Sequence, residues 1–235
     1  MISKISRNIM LRQFSLERCY KPKVLVSHPE WEYQDLLELA VASRSQIDEL
    51  CFIQIGAFDG VSNDALNVLI KGHKNVKGIV IEPQIQAFEA LKEHYQDYPN
   101  ITPLRIVISN SDTEVDFYSS RLFSVQRASL NKQHVLKGAG VREENILQEK
   151  IKSCTFSTLI KEYQIDHLDL VQIDAEGYDA EILKMINFDE IKPSVIRFEH
   201  DHLSDRDSAD CMSLLAKHGY RFLGEQRDII AILSK

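Results

Sequence analysis

From residue 51 onward, short apolar runs alternate with segments whose apolar positions recur at helical spacing. The runs at 51–55, 78–82, 103–108, 168–173 and 194–199 predict buried strands, and the stretches 63–71, 84–95, 155–163, 177–186 and 207–218 between and after them predict helices. An earlier helix is expected at about 30–42. In 84–95, Ile85, Phe88, Leu91 and Tyr95 form a stripe while Gln86, Glu89, Lys92 and Glu93 fall elsewhere, so one face should cover a sheet. Strands separated by helices imply parallel βαβ units. VDFYSS at 115–120 predicts a further strand, and the polar, basic segment 121–152 then breaks the alternation; it reads as an insertion, part helical, lying over the site as a lid. The ending GYRFLGEQRDIIAILSK reads as a strand, a polar turn at Glu225 to Asp228 and an apolar strand, so the sheet should close with an antiparallel hairpin.

The 235 residues, 44% of them hydrophobic, suit one α/β domain at 46–235 preceded by an N-terminal helical extension over 1–45. Residues 1–23 hold six basic side chains against Glu17, with Ile2, Ile5 and Ile9 near helical spacing. That pattern resembles an organellar transit peptide or a membrane-surface helix, but without a cleavage signal a helix packed on the domain is the preferred reading. Cys19, Cys51, Cys154 and Cys211 form no C-x-x-C pair, which excludes a zinc ribbon and a disulfide framework and fits a reducing, cytoplasmic compartment; an organellar address is the alternative. No apolar run is long enough for a membrane span. The formal charge of -7 repels polyanions and argues against nucleic acid as a partner, leaving a small-molecule or saccharide acceptor; a homo-oligomer is left open.

The chemistry concentrates where strands end. In CFIQIGAFDGVSND a strand ends at Ile55 and Gly56-Ala57-Phe58-Asp59-Gly60 turns into a helix, so a ligand can approach bare backbone and the free N–H groups of a helix start; a plain structural turn also favours glycine. The strand GIVIEP ends in Glu82, 22 residues beyond Gly60, at a spacing suited to an acid that accepts both hydroxyls of a ribose. Pro83 suits the first turn of the next helix. Together these features specify a nucleoside-containing cofactor. Further on, LDLVQIDAEGYDAEIL places Asp174 and Glu176 at the same carboxyl edge of the sheet.

IQIGAFDG, IEPQIQAFEAL, ISNSDTEVDFY, CTFSTLI and LVQIDAEGYDAEIL, in this order over about residues 50–200, resemble the FkbM family of S-adenosylmethionine-dependent methyltransferases. The resemblance implies a Rossmann-like class I methyltransferase fold: seven strands, mostly parallel, in the order 3-2-1-4-5-7-6, the last antiparallel. It also implies S-adenosylmethionine as cofactor. The turn Gly56 to Gly60 then lies on the methionine and ribose side, Glu82 on the ribose hydroxyls, and the loop Ser109, Asn110 and Asp112 on the adenine wall. Asp64 is a candidate for the cofactor's amino group, with helix capping as its structural reading. The chain departs from the family pattern at Gln54 and Gln172, where many members have Asp and Lys, and at Thr113, where the family has a turn glycine. Gln54 can still hydrogen-bond, and the contact concerned is the aminoacyl end of the cofactor.

The activity so implied is O-methylation of a hydroxyl on a sugar, glycan or secondary metabolite. For the acceptor's proton, Asp174, Glu176, His200 and the insertion's His134 are the candidate groups, while Asp174 with Glu199 offers oxygen ligands for Mg2+. The insertion's arginines suit an anionic or sugar-linked acceptor. Two other readings compete: an NAD(P)-dependent oxidoreductase, which would need a full G-x-G-x-x-G or a Tyr-x-x-x-Lys pair that this chain lacks, and a non-catalytic cofactor-binding module of the same fold.

Overall fold

A computed structural model describes residues 49–234 except 63, 74, 123–126 and 226, together with Glu17–Arg18 and residues 37, 40 and 41. Most of the expected extension over 1–45 lies outside the described residues. What is described of it is the two-residue strand β1 (Glu17–Arg18) and helical backbone at Leu37, Ala40 and Val41.

The main sheet contains β2 (Leu50–Ile55), β3 (Val76–Ile81), β4 (Ile101–Leu104), β9 (Leu170–Ile173), β10 (Val195–Glu199), β11 (Tyr220–Gly224) and β12 (Asp228–Leu233). Its order is β1-β11-β12-β10-β9-β2-β3-β4, which in chain order of the last seven is the expected 3-2-1-4-5-7-6 with β1 added at one edge. β12 runs antiparallel to both β10 and β11, as the terminal hairpin requires.

Period-two alternation sorts each strand between two cores. Ile53 and Ile55 of β2, Val171 and Ile173 of β9, and Ile196 and Phe198 of β10 face one side, covered by α4 (Phe156–Glu162), α5 (Asp179–Met185) and α6 (Asp205–Lys217). Leu50 and Phe52, Leu170, and Val195 face the other, covered by α1 (Ala65–Gly72), α2 (Ile85–His94) and Leu37, Ala40 and Val41. The covering face of α2 differs from the expected stripe: Ile85 is exposed, and Ala87, Leu91 and Tyr95, at i, i+4 and i+8, are the buried line.

A second sheet stands beside the first. The run expected as one strand over 103–108 is divided, because after β4 the chain leaves the main sheet and β5 (Val107–Ile108) pairs with β8 (Ile146–Cys154). β6 (Glu114–Ser120) and β7 (Ala128–Ser129) complete the order β5-β8-β6-β7. Thus the segment 121–152 holds β7, the short helix α3 (Lys132–Leu136) and a 3-10 turn, then enters the nine-residue strand β8, which the sequence reading does not anticipate. Val107, Phe117, Ala128 and Ile151 form the small core of this sheet.

Candidate active site

The carboxyl ends of β2, β3 and β9 open into a cavity of about 190 Å³. Its backbone rim is the turn after β2. Gly56 has φ +80°, and the N–H groups of Gly56 and Ala57 both donate to the Ile81 carbonyl, at 2.9 and 3.0 Å. A Cβ at Gly56 would stand 1.9 Å from the Asp174 carbonyl oxygen, so the backbone just after β9 forbids any larger residue here. Phe58, also at positive φ, donates its N–H to Glu82 Oε2 at 2.9 Å, and Gln84 donates its N–H to Glu82 Oε1 at 2.8 Å. Burial pushes the Glu82 carboxyl up to about 7 against the bonds from these N–H groups and from the Gln84 side chain. The Gln84 side chain adds a third bond, so of a carboxylate's roughly four acceptor positions about one remains for a ligand in the cavity that Glu82 lines.

The floor follows from strand register. Gln54 of β2 and Gln172 of β9 are direct partners, and Gln172 is in turn the partner of Arg197 of β10. The three extend the face that buries Phe52, Leu170 and Val195, so this apolar face ends in a polar row at the sheet's edge. Gln54 Nε2 donates to Asp64 Oδ1 at 3.1 Å, and the same oxygen accepts the Leu66 N–H, capping α1. Burial raises the Asp64 carboxyl despite these bonds. Gln54 Oε1, Asp64 Oδ2 and Gln172 Oε1 are buried without a partner among the described residues. Arg197 is bound to Glu225 and Asp228 at 3.0 Å each.

Acidic and basic groups gather on the opposite rim. Asp174 opens onto the cavity while protein packs around its other sides, and that packing, with the negative charge of Glu176 and Asp228, pushes its carboxyl upward against Arg227 and Arg197. Glu176 has φ +47° and brings its Oε2 to 3.1 Å from His134 Nε2 and 3.3 Å from His202 Nε2, with Arg127 Nε at 3.8 Å. Burial alone would raise Glu176, but the bonds from the two histidines bring it down to about 2. The Glu176 bond raises His202 in turn.

A family model described as the methyltransferase FkbM domain matches residues 54–222. The chain belongs to the FkbM methyltransferase family. A comparison with curated proteins gives no match. Among solved structures, the methyltransferase FkbM from Methylobacillus flagellatus KT is 16% identical with a TM-score of 0.49, over 79% of this chain and 44% of that one, so this chain spans less than half of that protein's length. Precorrin-6y C5,15-methyltransferase from Geobacter metallireducens GS-15 is 14% identical over 95% and 94% of the two chains, with a TM-score of 0.44. The N-terminal domain of human METTL16 in complex with SAH is 12% identical over 98% and 81%, with a TM-score of 0.43.

In this FkbM-family chain the cavity gathers Gln54, Gly56, Ala57, Phe58, Asp64, Glu82, Pro83, Asp174 and Glu176 of the residues the sequence singles out. Other candidates stand outside its lining. Asp59 accepts from the N–H groups of Val61 and Ser62 and from the Ser62 hydroxyl, and so ties its own turn. Gly60 packs against Leu91 and Tyr95. Ser109 donates to the Ser111 carbonyl, Asn110 is exposed, and Asp112 accepts from the Thr155 N–H and the Thr158 hydroxyl at the start of α4. Beside them, Ile106, Val107 and Ile108 line the cavity together with Phe117 of β6.

His200 also lies apart from the lining, its N–H donating to the Arg227 carbonyl, and it is His202 that meets Glu176. The Asp174–Glu199 oxygen pair expected for Mg2+ finds no support, because Glu199 Oε1 accepts from Arg227 Nη2 and its Oε2 lies 3.5 Å from His202. A guanidinium already supplies the charge a hard cation would bring. Ala128 to Leu130, in the segment expected as a lid, do line the cavity, while Arg227 is what sequence reasoning missed. Within VDFYSS the alternation of apolar and polar residues is a signal by which Phe117 could have been found, whereas nothing local marks Arg227.

Proposed function

We propose that the chain is an S-adenosylmethionine-dependent O-methyltransferase whose acceptor is a hydroxyl of a sugar, glycan or other small metabolite. The observation that carries this reading is the trio of partnerless acceptor oxygens on Gln54, Asp64 and Gln172 at one end of the cavity. Each unsatisfied buried acceptor costs about 1–3 kcal/mol, and an ammonium group has three donors and no acceptor to answer them. The amino-acid end of S-adenosylmethionine has that group, and a nicotinamide dinucleotide does not. Glu82 would hold a ribose hydroxyl with its remaining acceptor position, and Ile106 to Ile108 with Phe117 fit the apolar faces of an adenine ring.

When bound, S-adenosylmethionine supplies an electrophilic methyl group on a positively charged sulfur. The residues of the chain then have three tasks. The glycine turn and the Gln54–Asp64–Gln172 group fix the cofactor's orientation. Ala128 to Leu130 keep water from the acceptor side, which makes the segment 121–152 a lid in function. Asp174, whose carboxyl takes up a proton more readily than an ordinary aspartate, accepts the proton of the acceptor hydroxyl; a positioned base of this kind contributes about 10²–10⁴-fold. Arg127 provides positive charge for an anionic or sugar-linked acceptor.

Calorimetric titration tests the reading directly. S-adenosylhomocysteine is expected to bind and NADH is not; binding of NADH alone would move the chain to the oxidoreductases, and binding of neither would leave a non-catalytic module. Labelled S-adenosylmethionine, screened against hydroxylated acceptors, then identifies the substrate class. An Asp174→Asn variant should keep cofactor affinity and lose about 10²-fold or more in turnover.

A further inference from the structure

We propose that His134, Glu176 and His202 form a binding site for one divalent transition-metal ion of the zinc type. The three residues come from separate segments: His134 from α3 in the insertion, Glu176 from the loop after β9, and His202 from the loop after β10. Their ligand atoms all lie within 4.8 Å of one another. Both imidazoles direct Nε2 at the same oxygen, Glu176 Oε2, at 3.1 and 3.3 Å, with the ring planes 75° apart and centroids 4.7 Å apart. Zinc bonds of about 2.0–2.1 Å at a tetrahedral angle put neighbouring ligand atoms roughly 3.3 Å apart, so this spacing is close to that of a coordination edge. Nitrogen ligands favour zinc and its neighbours over magnesium, which prefers oxygen.

The backbone is shaped for the convergence. Glu176 is a non-glycine residue at φ +47°, a strained conformation that persists where surrounding structure enforces it. At Gly177, φ +91°, a Cβ would stand 3.1 Å from His134 Nδ1, so the missing side chain makes room for the imidazole. The Ser129 hydroxyl donates to the Glu176 carbonyl at 3.3 Å and stitches the insertion to this loop. Two guanidiniums stand near. Arg127 is 3.8 Å from Glu176, and Arg227, 3.4 Å from His202, also pairs with Glu199 and Asp201. Glu176 is the carboxylate both imidazoles share, and it supplies the negative charge an ion would meet there. Because Glu176 lines the cavity, an ion on its carboxylate would face the acceptor and lower the pKa of a hydroxyl beside it; that role, unlike the site itself, rests on the methyltransferase reading.

The test is Zn2+ calorimetry and Co2+ absorption on the metal-stripped full chain at pH 7.5. One equivalent of Zn2+ and visible d–d bands from Co2+ are expected. His134→Ala and His202→Ala should each lose more than the roughly 10–100-fold in Zn2+ affinity that an outer-shell change costs, while His200→Ala should keep wild-type affinity. No stoichiometric Zn2+ uptake by the folded wild type overturns the site, and so does undiminished uptake by the folded His134→Ala/His202→Ala double variant. Should the variants unfold, the wild-type stoichiometry and Co2+ spectrum decide alone. S-adenosylhomocysteine titration of the same samples keeps the two ideas apart: Zn2+ binding without it upholds the metal site and removes the methyltransferase reading, and the reverse does the opposite.

Discussion

At Gly56 two structural demands coincide, a φ of +80° and an Asp174 carbonyl 1.9 Å from where a Cβ would lie. Gly56→Ala is therefore expected to cost more than ~2 kcal/mol of stability, read as a lower thermal midpoint, before cofactor binding is even at issue. Asp64 separates the two roles better. Asp64→Asn keeps an oxygen for the Leu66 N–H but loses the charge facing the proposed ammonium, so S-adenosylhomocysteine should bind about 1.5–3 kcal/mol more weakly with the thermal midpoint little changed. Unchanged affinity would remove Asp64 from the site. Glu82 gives a pH signature. Its folded-state value of about 7 lies above the ordinary carboxylate value of 4.5, so its stability contribution is complete below that ordinary value and is lost as pH rises through about 7. Ribose hydroxyls donate best to the ionised form, so cofactor affinity should change in the opposite sense. It should be roughly tenfold weaker at pH 6 than at pH 8 in the wild type, and flat across that range in Glu82→Gln.

Among elements, the small sheet is where the sequence was least legible. ILQEKIKSC does not show a continuous alternation, because its partner strand carries the explanation: Asp116 of β6 and Lys150 of β8 are register partners whose side chains meet at 3.0 Å, while Phe117 and Ile151 turn into the small core. Strand β8 is specified by pairing rather than by local pattern. Once β8 is in place, Asp112 reaches α4 and ties Thr155 and Thr158. Asp112→Ala should thus cost about 0.5–2 kcal/mol, the usual value of a lost helix cap, and leave S-adenosylhomocysteine affinity unchanged. A tenfold fall in affinity with no loss of stability would return Asp112 to the adenine wall.

For the whole molecule, the layered packing determines what reagents and solvent can reach. Cys51, Cys154 and Cys211 are free thiols packed within it, and burial pushes them up to about 11, 11 and 12. The thiolate is the reactive form, so none of the three should be alkylated at pH 8 until denaturant is added; mass mapping of iodoacetamide adducts checks this. Rapid native labelling of Cys211, at the centre of α6, would mean that the packing of α6 on the sheet opens readily. No helix among the described residues is long and apolar enough to cross a membrane.

What the sequence determined by itself is the alternation of strands and helices and the turn and acid at the ends of β2 and β3. These are local: apolar period, glycine punctuation and capping act over a few residues, so Gly56, Glu82 and Asp174 were legible as residues at one edge of the sheet before any fold was known. The tertiary structure decided what required two distant segments at once. Gln54 and Gln172 become neighbours only because β2 and β9 pair in one register, and that pairing leaves their acceptors unmet beside Asp64. His202 rather than His200 joins Glu176 because the loop after β10 meets the insertion's α3 there, and Arg227 reaches Glu199 only through the terminal hairpin. Contacts of this kind are set by long-range register and packing, for which a linear pattern holds no signal.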